Sequence, residues 1–136
     1  MAILPISVSS GVPPYLCNPL HRNRTPRKSQ WTISENAELH SFEDAFNRIW
    51  LLSDIGWGLH FENNHPANLG VAQDHKTAVF VAKFVNDKNT WHGYPADHQR
   101  NNQDIPDIQI RRKWLKENIL PRRTVLQLGK GQPCSL

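Results

Sequence analysis

From Ala78 to Val85 every position except Lys83 is apolar, and most of these residues are β-branched or aromatic. Side chains on a strand alternate between faces, so Val79, Val81, Lys83 and Val85 share one face and Ala78, Phe80, Ala82 and Phe84 the other. Two apolar faces predict a strand covered on both sides. Asn86-Asp87-Lys88-Asn89 supplies turn chemistry, and Thr90 to Tyr94 runs back as the second arm of a hairpin, ending at Pro95, which has no N–H for a ladder. On that arm Thr90, His92 and Tyr94 point one way, and Trp91 and Gly93 the other. The stretch Thr77–His98 thus combines the strongest strand signal with the densest group of aromatic and ionisable residues. The side that puts His92 and Tyr94 beside a glycine gap is the first place to look for a site.

The same periodicities place the other elements. Ser41 predicts an N-cap, with Glu43 and Asp44 in the positive first turn and Gly56 as a left-handed stop. Phe42, Ala45, Phe46, Ile49, Trp50 and Leu52 then form one apolar helical face. Trp57–Phe61 alternates as a strand with Trp57, Leu59 and Phe61 inward, and Leu69–Gln73 reads as a second short strand. With 78–85 and 90–94 this predicts about four strands joined as an antiparallel meander. Gly58, Gly70 and Gly93 mark bulges or the close approach of another element. A second helix is expected from near Pro106 to about Asn118, capped by Asp104 or Asp107, with Arg112, Lys113 and Lys116 as an outward basic stripe. Residues 124–128 fit a strand or a helical turn, and their type stays open.

Residues 1–30 contain five prolines and the run HRNRTPRK, which oppose any regular element. They read as an extended basic arm, partly docked through Ile3, Leu4, Ile6, Val8, Tyr15 and Leu16, ahead of a single α+β domain at 31–136. Charge is distributed unevenly. The segments 21–30 and 111–136 together carry ten net positive charges and 31–110 six net negative ones, within a total of +4. Such asymmetry points to an acidic partner, or to basic ends that lie against an acidic body. Cys17 and Cys134 are too few for a disulfide framework and read as free cytosolic thiols. The prolines and the missing basic n-region argue against a signal peptide, and no run is long enough to span a membrane, so a cytoplasmic protein is expected.

Three chemistries compete. His60, His65, His75, His92 and His98 lie in or beside the predicted sheet, and His60 with His65 and His92 with His98 come near zinc-ligand spacing, but no cysteine is near and the residues between them match no known site, so no metal and no cofactor are assigned. A metal-independent ribonuclease of the toxin type needs a base, an acid and a phosphate cation. His92 and His98 would titrate, Lys83 or Arg100 would hold the phosphate, and Tyr94 would stack or donate. Phosphate binding without catalysis needs cations and aromatics. Arg22, Arg24, Arg27, Lys28, Arg112, Lys113, Lys116, Arg122 and Arg123 supply the first, and Trp91 and Tyr94 (with Trp31) the second. The expected function is recognition of an acidic partner, with nucleic acid, RNA or DNA, ahead of protein. The ribonuclease is one alternative, and a protein-interaction module of the inhibitor or immunity type is the other. Oligomeric state is not legible.

Overall fold

The computed structural model describes residues 11–136, so the apolar anchors Ile3, Leu4, Ile6 and Val8 fall outside the described residues. The fold is α+β, with three α-helices and two antiparallel sheets among the described residues. The larger sheet has the order β2 (Leu51–Leu52), β3 (Ile55–Glu62), β7 (Val81–Asp87) and β8 (Thr90–Pro95), and β4 (His65–Ala67) pairs with the far end of β3. The smaller sheet joins β1 (Gln30–Trp31), β5 (Gly70–Val71) and β6 (Ala78–Val79). One helix, α1 (Glu35–Asn47), precedes most of the strands. Two follow them, α2 (Ile108–Lys116) and α3 (Arg122–Gly129).

The strand pairings differ from a sequential meander. Trp57 lies opposite Lys83, so β3 pairs directly with β7, and the segment around 69–73 leaves for the smaller sheet. The predicted 78–85 strand is divided at Phe80: β6 belongs to one sheet and β7 to the other. Local alternation fixes which residues share a face, but it carries no information about which strand will be the neighbour. The hairpin is as expected. Lys88 and Asn89 take positive φ, at 52° and 68°, which is the two-residue turn whose twist suits a hairpin, and Asp87 faces Thr90.

The α1 face of the large sheet explains the glycines. Gly58 and Gly93 flank Phe84 across neighbouring strands, and a methyl group on either would overlap its ring. The ring therefore lies against bare backbone and meets Phe42 of α1 edge-on, with centroids 5.3 Å apart. Tyr15, Phe42, Phe84 and Trp91 form one aromatic cluster, each at most 5% exposed. At about 1.5–3 kcal/mol for each large side chain removed from water, this cluster is a main contributor to stability. Close approach, not a bulge, is what these glycines serve.

Helix α1 begins earlier than Ser41. Ser34 caps it by accepting from the Ala37 N–H, and Ser41 instead donates to the Glu38 carbonyl inside the helix. The end also falls before Gly56. Ile49 takes φ 59°, its N–H goes to the Phe46 carbonyl and the Trp50 N–H to the Ala45 carbonyl, a Schellman ending built without glycine. Trp50 and Leu52 therefore leave the helix. Trp50 packs edge-on against Trp114 of α2, centroids 5.6 Å apart. Asp107 caps α2 through the Gln109 N–H, and 124–128 is helical.

The basic arm is packed from Tyr15 onward. Tyr15 forms a parallel bridge with Trp91, and Leu16 and Pro14 complete two main-chain hydrogen bonds to the edge strand β8. That covering shields an edge otherwise open to pairing. Tyr15 donates to the fully buried Glu38 at 2.5 Å, and Arg22 reaches the same carboxylate at 2.8 Å. Cys17 and Cys134 are both free thiols.

Candidate functional site

Trp57, Lys83 and Tyr94 form a row across β3, β7 and β8 on the face away from α1. The segment 97–107 covers that row. The ammonium of Lys83, the one polar side chain between Ala78 and Val85, lies 5.4 Å over the Trp57 ring. It donates to the Gln103 carbonyl at 2.6 Å and sits 3.8 Å from Asp104. Asp104 accepts from the Tyr94 hydroxyl at 2.8 Å and from the Asp97 N–H at 2.9 Å. Asp97 in turn faces Arg100 at 3.2 Å, and Arg100 reaches Asp74 at 2.9 Å. Two buried carboxylates are thus each matched by a cation and by N–H or O–H donors, as buried charge requires.

Above this network opens a polar cleft of about 250 Å³ between the basic loop and β8, lined by His21, Arg27, Lys28, Tyr94, Asp97 and Asp104 among others. His21 stacks on Tyr94, centroids 5.2 Å apart and planes 16° from parallel. Its Nδ1 lies 2.8 Å from the Ser29 carbonyl and so carries the proton, which leaves Nε2 as the unprotonated nitrogen. Burial holds the His21 pKa below the usual imidazole range. Burial also pushes the Tyr94 phenol well up, with Asp104 adding to the effect, so its hydroxyl stays a donor. Thr77 hydrogen bonds hold Asp74 well below the usual carboxylate range.

The loop that carries the cations is clamped. The Gln30 side chain accepts from the Arg24 N–H and donates to the carbonyls of Leu20 and Lys28, and His75 lies 2.9 Å from the Lys28 carbonyl. Arg24 and Arg27 take positive φ, at 61° and 66°, in a compact turn with exposed side chains.

Of the residues expected from sequence, Lys83, Tyr94 and Arg100 come together here, and Arg27 and Lys28 arrive from the basic arm. His92 lies on the same β8 face, two residues before Tyr94. His98 does not join them. It is buried, 2.8 Å from the Gln132 carbonyl and 3.7 Å from Cys134. Burial raises the Cys134 thiol to about 11, which keeps it protonated. Arg22 is taken up by Glu38, and Lys113 donates to the Ile49 carbonyl at the end of α1. Trp91 is buried in the aromatic cluster, while Arg112, Lys116, Arg122 and Arg123 are exposed.

Sequence reading missed His21, Asp74, Asp97 and Asp104. The only local signal was the concentration of acids and one arginine in the irregular stretch after Pro95. Among the described residues no helix is long and apolar enough to cross a membrane. No protein-family model, no curated protein and no solved structure matches the chain.

Proposed function

We propose that the protein binds nucleic acid through this cleft. Backbone phosphates would lie on Arg24, Arg27 and Lys28, and an unpaired base would approach the His21–Tyr94 pair. The observation that carries the reading is the juxtaposition of exposed cations from a clamped loop with a stacked aromatic pair in one open cleft. Cations give salt-dependent affinity without sequence preference, and aromatic faces accept any base.

The test is anisotropy of a labelled single-stranded RNA titrated with Arg27→Glu/Lys28→Glu and wild-type protein at several salt concentrations. The variant should bind at least about tenfold more weakly, and its salt slope should flatten by roughly one phosphate contact or more. Its melting temperature should be unchanged, because both side chains are exposed. Equal affinity and equal slope would refute the reading. RNA-independent capture of one protein at fixed stoichiometry would then favour the interaction module.

A further inference from the structure

A second cleft, of about 700 Å³, lies elsewhere, between α1 and the β3–β4 hairpin. That is the size of sites that hold small organic ligands. Three of the seven histidines line it: His40 from α1, His60 from β3 and His65 from β4. His40 and His65 are exposed at its rim. Elsewhere His21, His75 and His98 each sit within hydrogen-bond distance of a main-chain carbonyl. Among the described residues no such partner holds these three; the one carboxylate within 4 Å of them is Glu62, 3.9 Å from His60 Nε2.

Arg48 closes one side of the cleft. It gives only its Nε to Asp44, at 2.9 Å, and its guanidinium lies 5.0 Å over Trp50 and 5.3 Å over Phe61. Two aromatic rings and a carboxylate therefore fix the plane, while both terminal nitrogens keep their hydrogens to donate. A guanidinium held this way has already lost the freedom it would otherwise lose on gripping an anion. The other Asp44 oxygen, Oδ2, is buried and accepts from nothing among the described residues. Buried acceptors of this kind are rare in folded proteins and call for a donor. The same residues do not make a metal site: among the described residues no three His, Cys, Asp or Glu side chains lie close enough to share an ion.

We infer that this cleft binds a small phosphorylated molecule. Its phosphate would be gripped by Arg48 and the histidines, and a hydroxyl or amine on the same molecule would donate to Asp44. The inference is independent of the nucleic-acid reading, since it uses none of the same residues.

The experiment follows the imidazole signals of the full chain by NMR, and binding by calorimetry, with adenosine 5′-monophosphate, inorganic phosphate and adenosine as probes. Adenosine monophosphate should shift His40, His60 and His65 and leave His98 unmoved. Inorganic phosphate should shift the same three more weakly, and adenosine should not shift them. His40→Ala/His65→Ala, a change at two exposed positions, should lower the affinity for the monophosphate by about tenfold or more. The inference is overturned if none of the three signals responds up to about 10 mM monophosphate. It is overturned equally if adenosine binds as well as its monophosphate, or if the double variant binds as tightly as wild type. Should the double variant fail to fold, the wild-type shifts decide the matter alone.

Discussion

Arg22→Ala gives the sharpest test of how the arm is held. Glu38 is wholly buried, and among the described residues Arg22 is its only cation, donating through Nε at 3.2 Å and Nη2 at 2.8 Å while the side chain stays about one-fifth exposed. Burial raises the Glu38 pKa above its ordinary value, and Arg22 opposes that rise. A carboxyl whose folded pKa is raised contributes stability that is fully present below the unfolded value and is lost as pH climbs through the folded one. The Tyr15 hydrogen bond opposes the rise too, so removing Arg22 takes away part of that opposition, lifts the folded pKa further and makes the loss grow with pH. Breaking a buried pair costs about 3–5 kcal/mol, and the partial exposure of Arg22 moves the expectation at neutral pH to about 2–4 kcal/mol. For a domain of this size that corresponds to a melting-temperature drop of roughly 8–15 °C. Urea denaturation at pH 5 and pH 8 would measure it. The gap between variant and wild type should be clearly smaller at pH 5, and adding Glu38→Gln should abolish the difference between the two pH values. An equal loss at both pH values would show that Arg22 acts through its hydrogen bond to Ile33 and its packing on Trp31, not through the buried charge.

Two further substitutions probe the packing argument. Gly93→Ala should cost about 1–3 kcal/mol by chemical denaturation, because its methyl would overlap the Phe84 ring and crowd the Tyr15 hydroxyl. Adding Phe84→Leu should recover part of that loss if crowding is the cause. Ile49→Gly should stabilise the fold by about 0.5–1 kcal/mol in the same assay, since Ile49 is exposed at φ 59°, where a β-branched residue is strained. A neutral or destabilising result there would mean that the isoleucine side chain makes a contact that outweighs its strain.

Sequence by itself determined what depends on residues close along the chain. The 81–87/90–95 hairpin follows from two-residue alternation and the Lys88-Asn89 turn, and the split of β8 into a His92/Tyr94 face and a Trp91/Gly93 face follows from the same period. That Asp104 or Asp107 would cap α2 was legible for the same reason, and the structure uses Asp107. Ser41 read as the cap of α1 because acidic residues follow it, but acidic residues follow Ser34 as well, and Ser34 is the cap while Ser41 donates to the Glu38 carbonyl inside the helix. Strand neighbours and sheet membership rest on contacts far apart in sequence. So β3 could be drawn correctly and still be given the wrong partner. The site shows the division most clearly. Lys83, Tyr94 and Arg100 stood out as chemistry in the sequence, but Asp97, Asp104 and His21 acquire their roles only where folding brings residues 21, 83, 94 and 104 to one place. Arg22 and Arg27, five residues apart in one basic run, read alike as phosphate ligands. Tertiary structure placed one against a buried carboxylate and the other in solvent, because an isolated buried charge must be paired and an exposed one need not be.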